Sequence, residues 1–331
     1  MDKGLIISPS PHVHDCVNTR RLMVDVIIAL IPALLVSVWF FGENVLAVTA
    51  VSVGVCVLSE WIIQKYMLNV KPSVSDCSAA LTGLLLALNL PSNIPLYIVA
   101  IGAVFAIGVT KMSFGGIGSN LFNPAIAARI FLLISFPAAM SSWVIPRGIE
   151  TDAGTGATPL AVVKMGFADG NSLEKIMDVN GLSYIQMLFG QIGGSFGEVS
   201  VIALLLGFAY LLLRRVITWH IPVTVLGTVA VFTGILWLIN PDKNADPLFH
   251  LLSGGLMLGA IFMATDYVTS PMIAKGAVIY AAGIGVLTCV IRIWGSFPEG
   301  VSFAILIMNA AVPLINKYVK PKRFGSKRIK K

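Results

Sequence analysis

Arg129 is the first residue in this chain whose position asks for an explanation. It follows "FNPAIAA" inside an apolar run. A cation at membrane depth costs at least about 2.5 kcal/mol, so it must face a partner or an anionic ligand, or snorkel to the surface. Asn123 and Pro124 open the same run, where free backbone N–H groups would favour an anion or another acceptor. Asp266 stands in "MATDYVTSP" (263–271), with Thr269 and Ser270 as candidate hydroxyl partners. It either terminates a span or faces a central cavity. Glu198, in "GGSFGEVS" (193–200), is expected to cap the helix it opens, since an acid at a helix N-terminus is favoured by the macrodipole. The stretch "DAGTGATPLAVVKMG" (152–166) differs in kind. Thr155, Gly156, Ala157, Thr158 and Pro159 are small and make a poor helix. On these residues alone, Thr158 is a loop threonine.

Other familiar chemistries are not written here. Cys16, Cys56, Cys77 and Cys289 are far apart and form no CxxC pair, so no local zinc or cluster motif is present. His12 and His14 lie two apart without an evident third ligand. "FGGIGSN" (114–120) is rich in glycine, but no strand precedes it, so it reads as a loop and not a dinucleotide motif. No nucleophile–base pair can be argued from spacing. Glu60, near the end of the second span, is the main acid within a span and is equally open to an interfacial or a conducting role.

The elements that must hold these residues are membrane helices. Hydrophobic residues make up 56% of the 331 and charged residues 12%, with a mean hydropathy of +0.87. A soluble domain carries about 25% charge. Ten spans are expected, near 22–41, 45–64, 78–90, 95–111 and 122–140, then 198–213, 221–239, 250–264, 275–291 and 301–318. The third and eighth are too short for a straight crossing. No cleavable signal peptide is expected. Seventeen Lys and Arg fall on the side of the two termini and five on the other. That asymmetry places both termini in the cytoplasm. It also accounts for the net charge of +7 without nucleic acid; membrane lipid is the implied neighbour.

The expected organisation is a cytoplasmic segment and first five-span repeat over 1–140, and an outer-side loop over 141–197. A second five-span repeat over 198–318 and a basic cytoplasmic tail over 319–331 complete it. Five spans per half set the halves inverted. Paired short segments rich in small residues, "SAALTGLLLALNLPS" and "LLSGGLMLGAIFMATD", then point to a midplane site between the repeats. The fold class is an all-α polytopic membrane protein.

Five stretches carry a resemblance: "SPSPHVHDCVNTRRLMVDVIIALIPALL" (8–35), "FGGIGSNLFNPAIAAR" (114–129), "TGATPLA" (155–161), "GGSFGEVS" and "FMATDYVTSP" (262–271). Together, and in this order, they resemble the family of the D subunit of the Rnf complex, a membrane ferredoxin:NAD oxidoreductase. That protein is related to the B subunit of the sodium-translocating NADH:quinone reductase. The "SPSPHVH" motif starts at residue 8, without the longer extension of the quinone reductase subunit, which favours the Rnf branch.

The resemblance implies FMN esterified through its phosphate to the hydroxyl of Thr158, with Thr155, Gly156 and Ala157 completing the motif. Asp152 supplies the motif's acid, while Ala153 stands where the family usually has glycine. It implies a separate flavin transferase that makes the bond, which would need the acceptor on an exposed, extendable segment. It also implies a non-covalent riboflavin within the bundle, for which the paired short spans would be the natural pocket. In that setting Arg129 would grip a phosphate or a flavin carbonyl, and Asp266 and Thr269 would line the cavity. Electrons would arrive from the flavin-carrying G subunit on the outer side and return inward. NAD reduction would occur on another subunit, with Na⁺ or H⁺ driven out of a bacterial cell membrane. A channel or transporter without a redox role, and a scaffold without a cofactor, are the rival readings.

Overall fold

Backbone N–H and C=O groups find no water in hydrocarbon, so a spanning chain must bond them internally. This chain does so with helices. The computed structural model describes residues 18–70, 72–144, 146, 155–198, 200–241, 243–297 and 299–320. The expectations for His12, His14, Cys16, Asp152, Ala153 and the tail beyond residue 320 lie outside the described residues.

Helix α1 covers Thr19–Phe41, and α2 covers Asn44–Ile62 and runs on through a π-helical turn to Met67. Helix α3 is only Ser78–Leu88. Helix α4, Leu96–Phe105, continues through a π turn over Ala106–Lys111. Helix α5 is Pro124–Ser135. Then come α6 (Pro137–Met140), β1 (Trp143–Val144), β2 (Thr155–Gly156), α7 (Pro159–Ala168), α8 (Leu173–Val179) and α9 (Tyr184–Phe189). The second half holds α10 (Val201–Leu213), α11 (His220–Ile239), α12 (Pro247–Leu252), α13 (Leu256–Leu258), α14 (Ala274–Trp294) and α15 (Val301–Tyr318). A π turn over Gly259–Met263 extends α13.

Among the described residues, six helices are long and apolar enough to cross a membrane: 19–41, 44–67, 96–114, 220–239, 274–294 and 301–318. The other four expected spans are short or broken. Residues 78–88 are a short helix, and the eighth segment breaks between α12 and α13, as the spacing of small residues suggested. The fifth is shorter than expected because Pro137 ends it: Phe136, the residue before, leaves the helical region. The sixth starts at Val201, with Ser200 as its cap.

Packing runs in parallel in the two halves. Helix α2 packs on α3 and α4, and α11 packs on α12 and α14, while α1 meets α10 and α5 meets α15 across the halves. A helix that stops inside the bundle leaves carbonyls without partners. At the end of α3, Leu88 O accepts from Gly197 N at 2.9 Å. A Cβ on Gly197 would strike that same carbonyl, so glycine is required there. At the end of α12, the Arg292 guanidinium donates to His250 O at 2.7 Å and to Ser253 O at 3.0 Å.

Close approach of backbones fixes the cross-half contact. A Cβ on Gly207 of α10 would collide with the carbonyl of Ala29 in α1, whereas one on Gly227 would meet nothing within 4 Å. Gly207→Val should therefore lower the midpoint of thermal unfolding in detergent, at a cost of about 1–3 kcal/mol, while Gly227→Ala should not lower it.

Candidate functional site

Four of the candidate site residues line two cavities joined by one helix, Thr158 and Arg129 in one and Asn123 and Asp266 in the other; Thr155, Gly156, Ala157 and Thr269 line neither. Asn123 caps helix α5, which carries Arg129 six residues further on. Six residues of α-helix rise about 9 Å, so one helix links both places.

The first cavity, about 280 Å³, is walled by Thr158, Arg129, Glu299, Trp143, Phe297 and Phe303, among others. Thr158 reaches it because β2 pairs with β1 and α7 begins immediately after. Val144 pairs with Thr155 and Trp143 with Gly156. Pro159 disfavours the helical region for the residue before it, and Thr158 is extended at φ −64°, ψ 151°. Its Oγ1 accepts from Ala161 N at 3.3 Å, capping α7. The residue is only 3% exposed. The expected exposed, extendable loop is thus corrected: the hydroxyl is buried, because capping and docking of α7 draw it in. Ala157 is exposed and Gly156 half-buried.

Arg129 is buried and does not snorkel. It donates to Asn89 Oδ1 at 2.9 Å and Ser302 Oγ at 3.0 Å, and forms an ion pair with Glu299. Glu198 lies nearby, turned toward Gly255, where a Cβ would sit 3.4 Å from Arg129 and closer still to the Glu198 carboxylate. Its expected capping role goes to Ser200, whose Oγ accepts from Ala203 N. Glu198 Oε1 instead accepts from Ser195 N at 3.1 Å. Glu198 Oε2 and Glu299 Oε1 have no partner among the described residues. Orphaned acceptors in so dry a place are costly.

The second cavity is lined by Asn123, Asp266, Lys111, Thr82, Leu85 and Phe262, among others. The last three come from the two short segments, α3 and the π turn after α13. Asn123 does not leave its helix start open. Its Oδ1 accepts from Ala125 N and Ile126 N, at 3.1 and 3.4 Å, and its Nδ2 donates to Met263 O. The expectation of free N–H groups at this helix start is corrected, since the side chain satisfies them. Thr269 donates to Asp266 Oδ2 at 3.1 Å, as the spacing suggested. Burial raises the Asp266 pKa, while hydrogen bonds from Thr269 and the N–H groups of Val268 and Tyr267 lower it. Ser270 donates its backbone N–H to the carbonyl of Asp266.

Lys111 is not the loop cation that its place in the sequence suggests. It is 1% exposed, as is Glu60. Their side chains pair at 2.6 Å, and Lys111 also donates to Ser78 Oγ at 2.6 Å. Gln64 and Ser73 complete the set around the Glu60 carboxylate. The pair spans 51 residues of chain, so no local spacing reveals it.

These features define a class: a polytopic helical membrane protein with broken spans and two largely apolar cavities that carry polar and charged groups in their walls. The chain belongs to the NQR2, RnfD, RnfE family, whose model matches residues 6–325. It is similar to the D subunit of the Na(+)-translocating ferredoxin:NAD(+) oxidoreductase complex of Acetobacterium woodii. The two are 45% identical over 330 residues, covering 99% of this chain and 98% of that one. The D subunit of the proton-translocating ferredoxin:NAD(+) oxidoreductase complex of Clostridium ljungdahlii is 43% identical, over 97% of this chain and 96% of the relative. The D subunit of the ion-translocating oxidoreductase complex of Aliivibrio salmonicida is 37% identical, over 98% and 99%.

Breaking a buried ion pair on one side costs about 3–5 kcal/mol, because the survivor is left uncompensated. Lys111→Met should lower the unfolding midpoint steeply, and Lys111→Met with Glu60→Leu should recover much of the loss. Thermal unfolding of both single variants and the double variant in detergent measures that coupling.

Proposed function

We propose that this chain is an electron-carrying membrane subunit of an ion-translocating ferredoxin:NAD oxidoreductase complex. FMN is held by a phosphoester to Thr158, and riboflavin sits in the second cavity. The observation that carries the reading is the meeting of Thr158 and Arg129 on one cavity wall, with family membership behind it. The parts fit the group. A threonine hydroxyl supplies the ester oxygen, and after esterification that oxygen can still accept from Ala161 N–H. A phosphoester adds negative charge, and Arg129, already paired with Glu299, would have its remaining N–H groups to offer to phosphate oxygens. Phe297 and Phe303 stack with centroids 5.3 Å apart beside it, an apolar wall for a flat ring. Flavin supplies the redox chemistry; the protein supplies position, charge and exclusion of water.

The second cavity suits an uncharged flavin better. Asn123, Thr82 and Asp266 offer polar contacts, and Leu81, Leu85 and Phe262 offer apolar ones. The short segments that wall it are the two expected to form the riboflavin pocket. The matched packing of α2–α3–α4 and α11–α12–α14 supports ten membrane segments in two inverted five-segment repeats. On that arrangement the termini are cytoplasmic and Thr158 faces outward. There it would be modified by a flavin transferase and would receive electrons from the G subunit. Electron flow drives Na⁺ or H⁺ outward; relatives of similar identity differ in the ion that they are named for.

Thr158→Ala should abolish the in-gel ultraviolet fluorescence of this chain, and Thr158→Ser should retain it. Acid precipitation of the unaltered protein should leave FMN on the chain and release riboflavin. Fluorescence that survives in Thr158→Ala would sink the attachment.

A further inference from the structure

Positive charge is scarce on the side of the chain opposite the two termini. Arg147, Lys164, Lys175, Lys243 and Arg292 are all of it. Three of those five line one small cavity, of about 130 Å³. Lys164 comes from α7, Lys243 from the turn after α11, and Arg292 from the last turn of α14. His250 of α12 and the rings of Phe167 and Phe249 complete the wall. No carboxylate among the described residues lines it.

The hydrogen bonds already made there do not cancel the charge. Lys164 Nζ donates to the carbonyls of Arg292 and Gly295, which leaves one N–H over. Arg292 spends its terminal nitrogens on the carbonyls of His250 and Ser253, and its Nε is left without a partner among the described residues. His250 Nδ1 is likewise buried and unpartnered among them. Every acceptor in this set is a neutral carbonyl. Glu198 and Glu299 hydrogen-bond to Ser195 and Arg129; Glu299 lies on the far side of Arg292, beside Gly254, and neither carboxylate lines this cavity. Burial lowers the Lys164 pKa.

We propose that this cavity binds the phosphodiester headgroup of an anionic phospholipid. The setting favours a lipid. The cavity opens where α11 and α14 end. From there Val231, Ile235 and Leu238, all well exposed, form one stripe along α11 at helical spacing, a track for an acyl chain. Trp294, exposed at the end of α14 and edge-on to Phe232, has the amphipathic ring that settles at the level of lipid headgroups. Basic pockets between spanning helices hold anionic headgroups on the cytoplasmic side; this one would use the same charge chemistry at the opposite face. The occupant would tie α7, and with it the cap at Thr158, to the ends of α11, α12 and α14. The assignment does not depend on any flavin.

The test uses the purified complex in detergent, delipidated and then titrated with phosphatidylglycerol or phosphatidylcholine. Native mass spectrometry reads retention and thermal unfolding reads stabilisation. Phosphatidylglycerol should be retained one-to-one on this subunit and raise its midpoint, and phosphatidylcholine should do neither. Lys243→Glu, in an exposed turn, should weaken phosphatidylglycerol retention about tenfold or more, while Lys175→Glu should not change it. If the reversed charge impairs folding, Lys243→Gln carries the same expectation in weaker form. Equal retention of the two lipids overturns the proposal, as does undiminished retention in both Lys243 variants. Stabilisation by millimolar inorganic phosphate equal to that by phosphatidylglycerol makes the site one for free phosphate, and overturns the lipid assignment.

Discussion

A helix that stops inside a bundle must hand its last carbonyls to something, and this fold is arranged around two such stops. Helix α3 gives one carbonyl to a backbone N–H of the Ser195–Glu198 segment, and α12 gives its own to the guanidinium of Arg292. Both solutions pull distant chain into the bundle. The first draws in the loop before α10, with Phe196 held from the α1 side by Ser37. The second commits an arginine of α14 to the gap between α12 and α13. Once those breaks are filled, a polar core exists that a bundle of straight helices would lack. Arg129, Glu299 and Glu198 gather at its edge, and the cavities open beside it.

That polar core explains why the two cavities are separate. Asn89, just past the end of α3, accepts from Arg129 and donates to Leu85 O, with Met263 Sδ also in reach. Asn123 donates to Met263 O from below. The residues between the cavities are thus bonded to each other and to the ends of the broken segments. Arg129 belongs to one side of this partition and Asn123 and Asp266 to the other. Two bound groups would be separated by a thin, well-bonded wall.

How far these arrangements can be read from the sequence depends on the distance over which each is encoded. The breaks in the third and eighth segments are local, written as short apolar runs with small residues, and they are legible. So is the extended backbone at Thr158, because Pro159 imposes it on its neighbour. Thr269 beside Asp266 is a matter of three residues. Burial of Thr158 is not legible, since it depends on the docking of α7 against segments over a hundred residues away. The partner of Arg129, Glu299, is 170 residues distant. Lys111 looks like a loop cation because it closes an apolar run, and only the π turn and Glu60 show that it points inward. Asn123 misleads in the opposite direction: a helix start suggests open donors, but asparagine is a residue that closes them itself.

The burial of Thr158 has a consequence for the order in which the molecule is made. Its hydroxyl caps α7 and faces a cavity walled by α5, β1 and residues ahead of α15. Those last residues are synthesised more than a hundred positions later. A second protein can reach that hydroxyl only while α7 is undocked, before the final helices close over it or during a transient reopening. Any modification of Thr158 would therefore be tied to the state of assembly of the chain.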